Sequence, residues 1–382
     1  MKQLGTESAF AVLAQAQALE RTGRRVVHLE IGEPDFTTPA HIVEAAQAGL
    51  KAGHTHYVPA PGTVRLREAV SAYLERNGRL RASPDRVLIT PGAKPIMFYT
   101  MLALCEEGDE VMFPDPGFPM YESIAGFVGA VPVPVPLREE NQFRMDPEEV
   151  EHLVTPRTKL LILNSPHNPC GSALTPDDCE AIAGIAVRHD LTVLSDEVYW
   201  ATRYDGKHSS VLDFDGMAER TVLLDGWSKP FAMTGWRLGF GVFPAELVEP
   251  VTRLIVNSVS CTSAFSQDAA VAALEGPWKP IEDMVAEFRA RRDVIVEGLE
   301  RIPGISCLTP QGAFYVFPNV KDLGLASSVL AARLLDEAGV ACLSGTAFGP
   351  WGEGYIRLSY ANSVDNIRTA LGSIEEFCRT CN

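Results

Sequence analysis

Lys229 follows the short apolar run Thr221-Val222-Leu223-Leu224, and Arg237 comes eight positions after it. An amine and an anion-binding fork therefore meet where a strand ends. A lysine set among the apolar and aromatic residues Trp227, Phe231 and Trp236, with a cation nearby, is expected to have a lowered pKa and to serve as a Schiff-base nucleophile. Thr90-Pro91-Gly92-Ala93-Lys94-Pro95, which follows the run Val87-Leu88-Ile89 and opens a helix, reads either as a plain β-α turn or as a second anion site. Gly92 lets the backbone come close, and the amides of Ala93 and Lys94 at the helix start can hold a phosphate. Both candidates sit just beyond the C-terminal end of a predicted strand, where open α/β sheets bind ligands.

Ser228-Lys229 followed by Gly235-Trp236-Arg237-Leu238-Gly239 resembles the cofactor-lysine segment of the class I/II aminotransferases, fold-type I enzymes that use pyridoxal 5'-phosphate. The resemblance runs from about residue 25 to 365, with its motifs in order. It implies that Lys229 forms the Schiff base while Gly92, Ala93, Lys94, Ser228 and Arg237 surround the phosphate end. Phe118, in Asp115-Pro116-Gly117-Phe118, matches an aromatic that stacks on the pyridine ring. Asn168, in Asn164-Ser165-Pro166-His167-Asn168-Pro169-Cys170-Gly171, matches a donor to the cofactor's phenolic oxygen, with Cys170 where the family usually carries threonine. In Ser195-Asp196-Glu197-Val198-Tyr199, Asp196 matches the carboxylate that faces the ring nitrogen, and a negative charge there keeps the ring protonated and electron-withdrawing. Tyr199 matches a second donor to the phenolic oxygen, and Glu197 reads as structural.

The remaining matches concern substrate and partner. Gly32 resembles a glycine that approaches the substrate carboxylate, and Arg357, in Tyr355-Ile356-Arg357-Leu358-Ser359, resembles the arginine that grips it as a bidentate fork. Tyr57 resembles a tyrosine that reaches the cofactor phosphate of a neighbouring subunit, which implies a homodimer with shared active sites. The implied reaction moves an amino group from an L-amino acid to a 2-oxo acid. A pyridoxal-phosphate lyase or decarboxylase on the same scaffold is the alternative.

These residues need a frame, and the chain supplies one. Apolar runs at 87–89, 110–113, 131–137, 159–163, 191–194, 221–224 and 237–242 alternate with helical or loop segments. Several are continuous rather than alternating, which predicts a seven-stranded, mostly parallel sheet sandwiched by helices, the α/β class. The prolines of Val131-Pro132-Val133-Pro134-Val135-Pro136 restrict that run to a sheet edge or a connector. Thr175-Pro176-Asp177-Asp178 opens a helix reaching toward Val187. A helix from about Pro280 to Ile302 leads into an α+β region with strands at 313–317 and 355–359 and helices near 326–338 and 364–378. The expected division is an N-terminal segment 1–44 serving the smaller domain and the site, a large domain 45–280, and a small domain 281–382.

Of 382 residues, 49 are acidic and 33 basic, a net charge of −16 that argues against a nucleic-acid partner and against a DNA-binding regulator built on this scaffold. No apolar run approaches the roughly 20 residues of a membrane span, so a cytoplasmic location is expected. The cysteines at 105, 170, 179, 261, 307, 342, 378 and 381 read as reduced thiols, and the single C-x-x-C of Cys378 and Cys381 is a weak metal signal.

Overall fold

Continuous apolar strands demand a sheet covered on both faces, and the computed structural model, which describes residue 5 and residues 8–380, contains one. Outside it lies β1 (Val27–His28). The sheet consists of β2 (Val87–Thr90), β3 (Glu110–Asp115), β4 (Val131–Pro136), β5 (Thr158–Asn164), β6 (Thr192–Asp196), β7 (Thr221–Gly226) and β8 (Gly239–Val242), in the order β2-β8-β7-β6-β5-β3-β4. Neighbours are parallel except around β8, which is antiparallel to β2 and to β7. The expected strand 237–242 begins later than predicted. Arg237 takes a left-handed conformation (φ 53°) after the short turn Thr234–Trp236, and β8 starts only at Gly239.

Alternation along the strands splits each apolar run between two cores. Leu160 and Ile162 pack with Val111, Phe113, Leu194 and Leu224 against the helices Lys94–Leu104 and Ala245–Ser258. Leu161 and Leu163 turn to the other face, with Met112 and Val193, against the helix Pro176–Arg188. That helix starts as expected. Thr175 accepts from the Asp178 amide while the Asp178 side chain accepts from the Thr175 amide, a reciprocal cap with proline in the first turn.

Both sheet edges are closed. In β4 the prolines occupy alternate positions, so the amide-free residues face away from β3, and the flanking amides of Val131 and Leu137 donate to Asp109 and Asp115 at 2.7 Å. At the opposite edge the Ile89 amide donates to the Pro61 carbonyl at 3.0 Å and the Thr262 hydroxyl donates to the Ile89 carbonyl at 3.4 Å.

The C-terminal third builds β9 (Tyr315–Val316), β10 (Val340–Ala341), β11 (Leu343–Ser344) and β12 (Ile356–Ser359) with the helices Lys279–Glu300, Ser327–Asp336 and Val364–Thr380. The expected strand 313–317 shrinks to β9. Ala313 sits at φ 57° and spends its amide on Thr202 of the large sheet's loops. N-terminal β1 pairs in parallel with β10, and the Ser359 amide donates to the Leu29 carbonyl at 2.7 Å, which seats residues 27–29 against the C-terminal strands. Among the described residues no helix is long and apolar enough to cross a membrane. No described cluster of side chains is suited to a metal, and Cys381 lies outside the described residues.

One buried charge cluster ties β6 to β7 just behind their C-terminal ends. Arg79 donates to Glu197 at 2.8 Å and to Asp225 at 2.5 Å, with its guanidinium 4.4 Å from the Trp200 ring centre. Glu197 also receives His208 at 2.8 Å, Ser195 at 2.9 Å and Ser210 at 2.5 Å. Burial works to raise the Glu197 carboxyl, but His208 and Arg79 outweigh it and hold the group well below the usual carboxylate range. Arg79→Met should strip the cation from two buried carboxylates and destabilise the protein by about 3–5 kcal/mol. Urea unfolding measures this, and a change below about 1 kcal/mol would mean that the carboxylates do not depend on Arg79.

Candidate active site

The strand ends bring most of the predicted residues to the C-terminal end of the sheet. Asp196 is the last residue of β6 and is 5% exposed. The Tyr121 hydroxyl donates to its Oδ2 at 2.6 Å and the Val198 amide approaches Oδ1 at 3.4 Å. No basic side chain is paired with it among the described residues. Burial pushes Asp196 up to about 7, and the Tyr121 hydrogen bond offsets only part of that. A buried carboxyl in this state is poised to ionise when a cation arrives beside it. Tyr121 is absent from the sequence-based candidates, although it lies three residues past Phe118 at the start of the helix Met120–Phe127. Phe118 meets the Tyr121 ring edge to face at 5.6 Å, and the Lys94 amine lies 5.5 Å from the Phe118 ring centre.

Asn164, paired with Asp196 in the β5–β6 register, joins the next motif to this one. Its amide nitrogen donates to the Asp196 carbonyl at 3.0 Å and its oxygen receives the Asn168 backbone amide at 2.9 Å. The Asn168 side-chain oxygen in turn accepts from Arg357 at 3.0 Å, which turns the amide nitrogen away from the guanidinium. His167 beside it is buried and neutral, its pKa pushed down to about 3 by burial.

Lys229 follows β7. Its amine donates to the Gly32 carbonyl at 2.5 Å and lies 5.7 and 5.6 Å from the ring centres of Tyr199 and Phe314, rings other than the Trp227, Phe231 and Trp236 that neighbour it in sequence. Ser228 turns the chain after β7, its carbonyl accepting from the Met233 amide at 3.1 Å. Arg237 donates to the Thr234 carbonyl at 2.7 Å and lies against Gly92. A Cβ on Gly92 would stand 2.1 Å from an Arg237 terminal nitrogen, and one on Gly239 would stand 2.5 Å from the Ala93 amide nitrogen. These two glycines are what allow the guanidinium, the loop and the first turn of the helix Lys94–Leu104 to converge. A cleft of about 810 Å³ opens beside them, lined by Thr38, Pro91, Trp236, Arg237, Thr262 and Ser263 among others.

Arg357, on β12, crosses to the N-terminal segment. It donates to the Glu30 carbonyl at 2.5 Å and lies 4.5 and 4.9 Å from the ring centres of Tyr315 and Phe348. Gly32 is as tightly placed, since a Cβ there would lie 2.2 Å from the Tyr315 hydroxyl. The Tyr199 hydroxyl is 2.7 Å from the Tyr315 hydroxyl. Sequence reasoning passed over Tyr315, Phe314 and Phe348. They lie in apolar stretches whose spacing reads as core, and only the tertiary fold turns them toward Lys229 and Arg357.

Tyr57 stands apart from this cluster. It belongs to the loop after the helix Ala40–Lys51 and is 89% exposed.

The comparisons with known proteins follow this geometry. A family model described as aminotransferase class I and II matches residues 24–374. An aspartate aminotransferase of Pyrococcus abyssi is 43% identical over 358 residues, 93% of this chain and 92% of that protein. An aromatic-amino-acid aminotransferase of Thermococcus litoralis is 42% identical over 92% of this chain and 91% of its own. The solved aspartate aminotransferase of Thermus thermophilus with maleate superposes with a TM-score of 0.94 at 37% identity, covering 98% of this chain and 97% of that one.

Asp196 makes one contribution to the pH dependence of the protein's stability. In the unfolded chain its carboxyl titrates near 3.8, whereas the folded chain keeps the proton up to about 7. The folded state thus binds this proton more tightly across that window, and the contribution of Asp196 to stability falls as pH rises from about 4 to about 7, then levels off. Asp196→Asn cannot titrate. Its unfolding free energy relative to the parent should therefore rise across the same window when followed by denaturant unfolding at several pH values. A difference that does not change with pH would mean that Asp196 titrates as it does in the unfolded chain.

Proposed function

The chain belongs to the class I and II aminotransferases and is itself an aminotransferase, and we propose that it works with pyridoxal 5'-phosphate bound at Lys229. When bound, that cofactor supplies an aldehyde that condenses with amines and a protonated ring that withdraws electrons from the substrate's α-carbon. The observation carrying this reading is the gathering of three unlike groups at the C-terminal end of the sheet: the amine of Lys229, the buried carboxyl of Asp196 held by Tyr121, and the Arg237–Gly92 cradle at a helix start.

The residues present fit the group. Arg237 and the amides of Gly92, Ala93 and Lys94 would take the phosphate, with Ser228 beside them. Asp196 would hold the ring nitrogen's proton through its charge, which Tyr121 orients. Phe118 offers a ring face, and Asn168 and Tyr199 offer donors for the phenolic oxygen. Lys229 would take a proton from the substrate's α-carbon and return it at the cofactor's aldehyde-derived carbon on the other side of the shared nitrogen, acting as base and then acid. Arg357 would grip the α-carboxylate near Gly32, already steadied by Asn168, Glu30 and two aromatic rings. Tyr57, exposed here, would reach the phosphate of a second copy, making the enzyme a homodimer with shared sites.

Residues 45–280 would form the large cofactor domain and residues 281–382 the small one, with residues 1–44 serving the small domain and the site. The buried thiols of Cys105, Cys170, Cys179, Cys307 and Cys342, which form no disulfides, support a cytoplasmic home.

Borohydride reduction followed by peptide mapping should place the cofactor on Lys229, and Lys229→Ala should abolish transfer. Attachment to another lysine overturns the assignment. A panel of the twenty amino acids against 2-oxoglutarate, pyruvate and oxaloacetate should show one amino group gained by the oxo acid for each one lost by the donor. Loss of the α-carboxyl or of side-chain fragments in place of that balance would mark a decarboxylase or lyase.

Arg357→Lys exchanges a planar fork for a point charge. It should keep cofactor binding while kcat/KM falls about 10- to 150-fold per charged hydrogen bond lost, for amino and oxo substrates alike. A fall within twofold would make Arg357 a structural residue.

A further inference from the structure

Tyr315 touches the Tyr199 hydroxyl, the Arg357 guanidinium and the segment around Gly32 that receives Lys229. It lies on β9, opposite Ser359 in the register that also carries Arg357, and is 1% exposed. Its hydroxyl is 2.7 Å from that of Tyr199. Its ring lies under the Arg357 guanidinium at 4.5 Å. The same hydroxyl fills the space a side chain at position 32 would need, against the residue whose carbonyl receives Lys229. Edge-to-face contact with the Tyr199 ring at 5.7 Å and a tilted contact with Phe314 at 4.9 Å fix the ring plane.

We propose that Tyr315 is a positioning residue that sets the direction and strength of the Tyr199 hydroxyl as a donor, by giving Tyr199 its own hydrogen. A cation over an aromatic face draws electron density from the ring, and Arg357 at 4.5 Å from the Tyr315 ring centre lies closer than Lys229 does to the Tyr199 ring at 5.7 Å, so Tyr315 is the better donor of the pair. With Tyr315 donating, the Tyr199 hydrogen is turned away from it toward the site, and the chained bonds strengthen one another. The absence of a side chain at Gly32 makes room for this arrangement, and Arg357 holds it in charge and in place. The inference rests on the reading of Tyr199 as a donor to the cofactor's phenolic oxygen.

A donor on that oxygen stabilises negative charge there and favours loss of the neighbouring proton on the lysine nitrogen. A weakened donor leaves that proton on to higher pH. The test therefore reads the pH midpoint of the cofactor's visible absorbance in the loaded protein, with no substrate present. Tyr315→Phe keeps the ring, its packing and the cation contact, and removes only the hydroxyl. Its midpoint should rise by about 0.4–1 unit, the scale of one neutral hydrogen bond. In a Tyr199→Phe background the same change should move the midpoint by less than about 0.2 unit, because the group through which it acts is gone. Turnover number should fall while the affinity for a dicarboxylate such as maleate, which reports on Arg357, stays within about twofold. An unchanged midpoint in Tyr315→Phe, or an equal shift with and without the Tyr199 hydroxyl, overturns the proposal. A protein that binds the cofactor with no lysine-linked absorbance refutes the functional reading and this inference with it, so the two failures look different.

Discussion

The site depends on Arg79 being where it is. Parallel strands ending side by side converge their last residues, and here β6 and β7 end with carboxylates at 196, 197 and 225 in one buried region. Two of the three are joined to Arg79, and Glu197 receives three further donors. The third, Asp196, is left with a tyrosine hydroxyl and a backbone amide. That asymmetry divides the labour. Arg79 and His208 make the strand ends tenable as a structure, and Asp196 remains the carboxyl whose charge a ligand can call upon.

A second constraint joins the two ends of the chain. Arg357 reaches residue 30 through a backbone carbonyl and residue 168 through a side-chain oxygen, while Lys229 reaches residue 32. The N-terminal segment thus lies between the C-terminal strands and the sheet, held by polar bonds from both. Arg291, on the helix Lys279–Glu300, adds an ion pair with Asp35 at 2.7 Å and a ring contact with Phe36 at 5.0 Å. Arg357, Gly32 and Lys229 are positioned by this three-way junction rather than by any one element.

Much of the frame was legible in the sequence because it is local. Continuous apolar runs specify buried strands, Thr175-Pro176-Asp177-Asp178 specifies a helix start, and alternate prolines specify an edge. Candidate residues were legible where they sit at the end of such strands or within a few residues beyond it, as Asp196, Gly92 and Lys229 do. What the sequence hid depends on meetings between distant segments. Tyr121 and Asp196 are 75 residues apart, and Tyr199 and Tyr315 are 116 apart. Nothing in the local spacing of Gly-Ala-Phe-Tyr distinguishes a tyrosine aimed at a hydroxyl from one filling a core. Arg237 misled in a smaller way, since Trp236-Arg237-Leu238 reads as the beginning of a strand until the left-handed turn that aims the guanidinium is seen.

The closure of both sheet edges reaches beyond the single chain. Along β4 three prolines leave no amide on the outer side, and at β2 the outward groups of Ile89 already have partners in Pro61 and Thr262. A strand from another molecule would find few ready backbone partners on either flank. Copies of this protein are therefore steered to meet through side chains, whose shape and charge can be selective, instead of through main-chain pairing, which accepts almost any sequence. Crowded in a cell, the molecule is guarded against joining strangers edge to edge while its side-chain surfaces stay free to choose a partner.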